Sequence, residues 1–223
     1  RFGVDADLHA RLQRLAAEHG STVFMTVHAA LAVLLARLSG SDDIAVGSPV
    51  AGRGHRALDD LIGMFVNTVV LRTRVPGDVS FAALLADVTD GDLDAFAHTD
   101  LPFDRIVDTL APTRSTAHSP LFQVSLEFHT AALPAVELPH LSIQGVSLDP
   151  TVCNFDLELL VGENTEGGLD AAFVYATDLF DAGTVAGFAE RFVRLLEQIT
   201  IDPHRPVGDV ELLTATERAA LVP

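Results

Sequence analysis

The sequence lacks the residues on which several common classes of protein depend. A single cysteine, Cys153, excludes an internal disulfide. The most apolar segment, residues 22–38, is interrupted by His28 and Arg37, so no run reaches the ~18 uncharged residues of a membrane span. We therefore interpret this segment as a buried helix.

Positive charge is scarce, and every basic residue is an arginine. The chain carries 31 acidic residues against 14 basic ones, which gives a formal net charge of −17. Such a surface repels phosphate backbones and anionic lipid, which argues against nucleic-acid binding and membrane-surface binding. The acidity is typical of a surface that keeps a protein in solution.

The start of the chain shows no signal-peptide pattern, because it opens on Arg1 without a methionine and continues into a polar helix. We therefore expect a cytoplasmic fragment of a longer polypeptide. A length of 223 residues with 48% hydrophobic content suffices for a sizeable buried core, and we interpret it as one domain.

Helical periodicity is clear in the first forty residues. Leucines at helical spacing follow a candidate N-cap at Asp7, and Gly20 suits the left-handed position after a helix. A second helix, capped by Ser21 or Thr22, is predicted to end near Ser39. It is apolar on all sides, which indicates burial on both sides.

Later segments predict an alternation of strands and helices. Ser80 is a candidate N-cap for a helix that we expect to be broken near Gly91, and Asp178 or Asp181 begins the last long helix. A short helix is predicted between them, from Pro102 to about Leu110. Strands are predicted at residues 44–50, 66–75, 122–129, 141–148, 155–161 and 169–177.

Two candidate sites have simpler structural explanations. A lone histidine among apolar residues, His28 has no second ligand at metal spacing, which favours a hydrogen-bonded core residue over a ligand or base. The acidic group Asp87, Asp90, Asp92 and Asp94 suggests a calcium loop. It has no glutamate at the twelfth position, so we predict a solvated helix face.

The most informative stretch runs from Ile62 to Arg72. It is almost wholly apolar or small, but Asn67 lies in its middle, and a buried amide must be hydrogen-bonded or it costs stability. From Val66 onward apolar and polar residues alternate. This pattern predicts a strand that leaves a tight turn at Gly63.

The same stretch resembles a core motif of condensation domains from nonribosomal peptide synthetases, G-x-F-V-N-T…R. The matching residues are Gly63, Phe65, Val66, Asn67, Thr68 and Arg72. A second run resembles the family's [HN]-Q-D-[YV]-P-F-E and departs from it at Thr99, Leu101 and Asp104. Its matching residues are His98, Asp100, Pro102 and Phe103.

A third run, residues 114–121, resembles R-D-x-S-R-N-P-L and keeps Arg114, Pro120 and Leu121. Looser similarity in DDIAVGSPVAGR, NFDLELLV and FVYATDLFD extends the resemblance to essentially the whole chain. The three motifs occur in the family's order. The resemblance implies an α/β fold like that of chloramphenicol acetyltransferase, with a mixed, mainly antiparallel sheet flanked by helices.

The family's H-H-x-x-x-D-G motif is missing, since no two histidines are adjacent. In the family this motif belongs to the N-terminal half, so the resemblance implies that the chain is the C-terminal half only. Residues 1–202 would be this lobe. Residues 203–223, which include a run resembling L-L-x-x-x-E-R, would be a linker toward an adenylation domain.

The function that the resemblance implies is amide formation between donor and acceptor thioesters. Each thioester is carried by phosphopantetheine on a carrier protein, so no cofactor is bound by this chain. The expected partners are the N-terminal half, peptidyl carrier proteins and the adenylation domain. We expect no catalytic residue here and weak tunnel-lining candidates at Ser48, Asn67, Asn154 and Asp156.

Alternatives to these roles stay open. His98 and Asp100 form either an acid–base pair or a helix boundary, and Asp156 lies near the acceptor or makes a structural ion pair. Residues 47–54 are either a loop with unusual backbone angles or part of the tunnel wall.

A condensation-like module that binds a carrier protein or recruits a tailoring enzyme is the alternative function. We also expect the isolated lobe to expose apolar surface and self-associate.

Overall fold

The chain folds around a six-stranded sheet. The computed structural model describes residues 1–52, 56–58, 60–112, 118–129, 136–138, 141–143, 152–214 and 217–219. The strands are β1 (Phe2–Val4), β2 (Asp43–Ala51), β3 (Val66–Arg74), β4 (Val124–His129), β5 (Val136–Leu138), β6 (Leu141–Ile143), β7 (Leu157–Glu163) and β8 (Leu169–Tyr175). The helices are α1 (Ala6–Glu18), α2 (Val23–Ser39), α3 (Phe81–Ala97), α4 (Phe103–Leu110) and α5 (Ala182–Ile201). Two short 3-10 helices are Arg56–Leu58 and Val207–Asp209.

The large sheet has the strand order β1-β8-β7-β4-β2-β3. Strand β4 lies parallel to both of its neighbours, β2 and β7. The other three pairings are antiparallel. The predicted mixed, mainly antiparallel sheet is therefore confirmed. A separate two-stranded sheet joins β5 and β6.

The two faces of the large sheet differ in what covers them. On one face, alternate apolar residues such as Val46, Leu126 and Leu159 are buried in a core shared with α1, α2, α3 and α5. On the opposite face the alternate residues include small, apolar and acidic side chains, many of them half-buried. We call this second surface the open face. It includes Ala45, Gly47, Val70, Ser125, Glu127, Glu158, Leu160 and Ala172.

Side-chain caps set where the helices begin. The carboxylate of Asp5 accepts a hydrogen bond from Leu8 N at 2.8 Å, so Asp5 caps α1 and the predicted cap at Asp7 is wrong. The reason is that the chain is still extended at Asp5, which leaves Asp7 inside the first turn. Thr22 caps α2 as predicted, through a bond from Met25 N.

Helix α3 runs without interruption from Phe81 to Ala97, so the predicted break near Gly91 is wrong. Gly91 lies on the solvent side of the helix, where the glycine costs only about 1 kcal/mol relative to alanine. Leu85 and Val88 on the opposite side are buried in the core, and their packing holds the helix together.

The segment after α5 packs back onto the domain. Val207, Val210 and Leu212 are buried in the core cluster. Arg37 donates hydrogen bonds to the carbonyl oxygens of Val207 and Val210 at 2.9 and 3.1 Å. Residues 203–210 have the composition of a linker, but they pack against the domain because apolar side chains anchor them in its core. That residues 203–223 lead toward an adenylation domain stays a prediction.

No single helix of the described ranges has the length and apolar character needed to cross a bilayer. The pair α1 and α2, bent by 100°, meets that criterion only when both helices are counted together.

Candidate functional site

Polar side chains are concentrated on the open face along β4 and β7. Ser125, Glu127 and His129 occupy alternate positions of β4, and Ser125 is the register partner of Glu158 on the parallel strand β7. Ser125 and Glu158 are each only 8% exposed. A buried carboxylate and a buried hydroxyl therefore lie side by side on the surface that the helices leave open.

A cavity of about 170 Å³ adjoins this strip. It is lined by Ser48 and Asn154, together with Ser125, Glu127 and Glu158. Two of the four side chains predicted to line a substrate tunnel thus lie around one cavity, although they are far apart in sequence. Apolar walls come from Phe122 and Phe155, with Gly47, Pro49 and Thr68 completing the lining.

Ser48 is held by the sheet. Its hydroxyl donates a hydrogen bond to Leu126 O at 2.9 Å, and the residue is buried. The ring of Phe122 packs against the neighbouring residue Gly47 and occupies the space that a Cβ atom at this position would need. Residues 47–51 therefore belong to a strand rather than to the expected glycine-rich loop, because Gly47 admits an aromatic ring and β2 continues to Ala51. Residues 53 and 54 of the predicted loop lie outside the described residues.

Glu158 organises the chain before β7. Its Oε1 accepts hydrogen bonds from Asn154 N at 2.7 Å and from Phe155 N at 3.2 Å. Cys153 Sγ donates to Phe155 O, and burial raises the pKa of this thiol above its usual 9.0. The thiol is therefore a poor nucleophile at neutral pH.

Glu127 also lines a wider cavity of about 620 Å³ on the same face. Its Oε1 lies 2.9 Å from Nε2 of His129, which lines the same cavity. Leu160 forms part of the apolar lining, and Arg1 and Asp170 add charges. The two cavities therefore share one carboxylate, which contacts the imidazole of His129.

Asp156 lines a different cavity from Ser48 and Asn154. This space of about 650 Å³ is bounded by residues from α2, α5 and the first residues of β2, β4 and β7. The backbone N–H of Asp156 donates to Gln123 O at 3.0 Å. The structure therefore does not bring all four predicted tunnel residues together.

Arg72, the last residue of the first motif, lines this third cavity and binds Asp43 through two hydrogen bonds of 2.8 and 2.7 Å. The bidentate contact lowers the pKa of Asp43 and raises that of Arg72. The pair joins the paired strands β2 and β3, since Asp43 is the register partner of Arg74.

Asn67 connects β3 to the start of α4. Its amide nitrogen donates to the carbonyl oxygens of Thr99 and Leu101 at 2.9 and 2.8 Å. Its amide oxygen accepts from Phe103 N at 3.1 Å. The hydrogen bonds that the sequence required for this amide are thus present. All three hydrogen bonds join the amide to backbone groups, so Asn67 links the first two motifs structurally.

The remaining residues of the first motif form the entry to β3. Gly63 lies in the exposed segment before the strand, and Phe65 O accepts a hydrogen bond from Gly52 N at 2.8 Å. Val66 begins β3, and Thr68 lines the small cavity.

The second motif is a helix boundary. His98 follows the last turn of α3, and its Nδ1 lies 2.8 Å from Asp94 O. This contact favours a boundary role over an acid–base pair with Asp100, which is exposed. Pro102 precedes the first turn of α4, and Phe103 packs against Phe122 with ring centroids 5.6 Å apart.

Only part of the third motif can be placed. Arg114 lies outside the described residues. Pro120 and Leu121 lead into β4, and Leu121 lines the cavity that contains Asp156.

Sequence reasoning missed one buried pair, His28 and Asp92. Nδ1 of His28 lies 3.0 Å from each carboxylate oxygen of Asp92, and both side chains are buried. The interpretation of His28 as a hydrogen-bonded core residue is confirmed. The prediction that Asp92 belongs to a solvated face is wrong, because it points inward from α3, whereas Asp87, Asp90 and Asp94 are exposed.

Sequence reasoning also missed Ser125, Glu127, His129 and Glu158 as site residues. The available signal was the alternation of polar residues along β4, which predicted a half-buried strand but not what its polar side would face. Within the described residues no three His, Cys, Asp or Glu side chains form a cluster suited to a metal ion.

A mixed sheet with its helices on one face and a polar open face defines a protein of the chloramphenicol-acetyltransferase-like class, which confirms the expected fold class. Solved structures agree. An X-domain from teicoplanin biosynthesis superposes with a TM-score of 0.84 and 32% identity, over 95% of this chain and 49% of that one. The first condensation domain of the CDA synthetase gives a TM-score of 0.77 at 24% identity, over 96% of this chain and 47% of that one.

The chain belongs to the condensation-domain family of nonribosomal peptide synthetases. The family model "Condensation domain" matches residues 1–222. A probable non-canonical nonribosomal peptide synthetase of Salinispora arenicola is 46% identical over 99% of this chain. A dimodular nonribosomal peptide synthase of Bacillus subtilis is 39% identical over 99% of the chain. The chain spans 3% and 10% of the lengths of these two relatives.

Proposed function

We propose that this chain is the C-terminal lobe of a condensation domain and helps to form an amide bond between donor and acceptor thioesters on carrier proteins. The observation that carries the proposal is the open face, a half-exposed sheet surface with two adjoining cavities. A match to about half of the X-domain and condensation-domain chains supports the assignment to one lobe.

In this proposal the open face is one wall of a tunnel between two lobes. Ser48 and Asn154 line that wall, whereas Asn67 fixes the strand at its edge and Asp156 faces the separate third cavity. The companion N-terminal half supplies the H-H-x-x-x-D-G motif and therefore the proton-handling histidine. Phosphopantetheine arms of cytoplasmic carrier proteins bring in both thioesters, so this chain itself holds no cofactor.

The test is a condensation assay with donor and acceptor thioesters loaded on carrier proteins. We expect no amide product from the chain alone and product once the N-terminal half of the same synthetase is added. An N-terminal half with both motif histidines replaced by alanine is the matched control and should give no product. Turnover by the chain alone would overturn the assignment of roles.

A second candidate function is a non-catalytic module that binds a carrier protein or recruits a tailoring enzyme. The observation that favours it is the similarity to an X-domain in complex with OxyB from teicoplanin biosynthesis, with a TM-score of 0.83 and 32% identity. The state of the motif in the companion half separates the two candidates. An intact H-H-x-x-x-D-G supports condensation, whereas a degraded motif combined with binding but no turnover supports the module.

A further inference from the structure

The small cavity on the open face contains polar groups whose hydrogen-bonding capacity is unused. Ser125 is 8% exposed, and its hydroxyl has no hydrogen-bond partner among the described residues. Glu158 uses Oε1 to bind two backbone N–H groups, and its carboxylate also interacts with the thiol of Cys153. A hydroxyl in so buried a residue normally has a hydrogen-bond partner, so Ser125 indicates a ligand that forms hydrogen bonds in this cavity.

The charge around the cavity indicates which charge the ligand carries. Glu127 and Glu158 both line it, and no arginine among the described residues does. Beyond it, the wider cavity adds Asp170 and the cationic Arg1 at its lining. The contact with His129 involves Oε1 of Glu127, so Oε2 of that carboxylate is available to a ligand. A cation is therefore favoured over a neutral or anionic group.

The register sets the size of the binding group. Ser125 and Glu158 are direct partners on adjacent strands, which lie about 4.8 Å apart. Glu127 is two residues further along β4, about 6.6 Å from Ser125. A primary ammonium group offers three N–H donors from one compact centre, which matches one hydroxyl and two carboxylates. A cavity of about 170 Å³ accommodates such a group and a short alkyl stem.

We propose that Ser125, Glu127 and Glu158 form a binding subsite for a primary ammonium group on the open face. The inference rests on the proposed function for the origin of the ligand, which is an aminoacyl substrate. The ammonium is then either the α-amine of the acceptor or the end of a basic side chain.

Three small probes separate these two sources in an NMR titration of the chain. Norleucine methylamide carries only an α-ammonium, N-acetyl-lysine methylamide carries only a side-chain ammonium, and N-acetylnorleucine methylamide carries neither. We expect saturable shifts of the β4 and β7 amide signals with at least one cationic probe and none with the neutral one. Equal shifts with all three, or none with either cation, would overturn the proposal.

Charge-removing variants test the named carboxylates. Glu158→Gln keeps an oxygen for the two backbone N–H groups but removes the charge, and Glu127→Gln removes the charge from a half-buried position. Each should weaken binding of the cationic probe about tenfold. Glu163→Gln, at a half-buried position on the helix side of β7, is the matched control and should leave binding unchanged.

The variants remain informative if one of them does not fold. An unchanged amide spectrum away from β4 and β7 verifies the fold, and Glu127→Gln serves alone if Glu158→Gln disrupts the chain before β7. Binding to Glu127→Gln as tight as to Glu163→Gln would overturn the proposal. A loss of ammonium binding leaves the proposed function standing, whereas a complete domain that binds the probes but never joins thioesters would overturn the proposed function alone.

Discussion

Asn67 shows how one amide can hold two motifs together. We expect Asn67→Ala to lower the free energy of unfolding by about 2 kcal/mol, because two carbonyl groups and one N–H group lose their partner. Asn67→Asp should be at least as damaging. It keeps the acceptor for Phe103 N but places a carboxylate oxygen against the carbonyls of Thr99 and Leu101. Urea unfolding measures both variants.

The control for this prediction is Thr68→Ala, on the neighbouring residue. The Thr68 hydroxyl makes no hydrogen bond among the described residues, so the change should stay within about 0.5 kcal/mol. A stable Asn67→Ala variant that binds substrate poorly would contradict the structural role and support the predicted tunnel-lining role.

Cys153 gives a pH-dependent prediction. Burial raises the pKa of its thiol above the usual value, so the neutral thiol predominates at pH 7.5. We expect iodoacetamide to alkylate Cys153 more slowly than free cysteine at pH 7.5. The rate should increase as the pH rises through the folded pKa. The denatured chain is the control and should react like free cysteine. An equal rate in the folded chain would refute the prediction.

At the scale of elements, the pair His28–Asp92 joins α2 to α3 inside the core. Replacing Asp92 with alanine leaves a buried imidazole without its partner, so we expect a loss of about 3 kcal/mol in the free energy of unfolding. Asp94→Ala on the exposed side of α3 is the control and should change it by less than about 0.5 kcal/mol.

A double variant separates pairing from packing at this site. His28→Leu combined with Asp92→Leu replaces both polar groups with apolar ones and should recover most of the lost stability. If the losses measured for the single variants His28→Leu and Asp92→Leu add up to the loss in the double variant, the two side chains are not coupled and the paired interpretation fails.

Most of the elements could be predicted from periodicity and capping residues. The second helix, the Asn67 strand and the final helix all lie close to their predicted positions, because local spacing reports which side of an element is apolar. The start of α1 and the continuity of α3 were predicted wrongly. In both cases the local sequence was compatible with more than one helix boundary. Packing and local backbone geometry determined which boundary formed.

The contacts between elements could not be predicted. The period of α3 does not reveal that Asp92 meets His28, which is 64 residues away. The composition of residues 203–210 does not reveal that Val207 is buried. Likewise, Ser48, Asn154 and Glu158 come together only through the parallel pairing of β4 with its neighbours, and a single sequence carries no direct signal for that register.

At the scale of the whole molecule, apolar side chains before β3 are strongly exposed. Ile62 is fully exposed and Met64 is 89% exposed, while α4 nearby contributes no buried side chain. We expect the chain to self-associate through this surface. Ile62→Asp combined with Met64→Asp should shift the sedimentation profile toward monomer.

Ile201→Asp is the control for this change, because Ile201 is also exposed but lies at the end of α5. It should leave the association unchanged. A clean monomer of the unaltered chain at high concentration would contradict the prediction.

The pairing of β1 with β8 joins two strands that lie far apart in the chain. Phe2 lies opposite Ala171, and Ala82 N donates to Pro203 O, so contacts that complete the fold join residues far apart in sequence. The chain loses conformational entropy when such a long loop closes, and this loss comes before the contacts that compensate for it form. During synthesis β1 therefore stays unpaired until β8 has been made, and chaperones can bind the unfinished sheet during that interval.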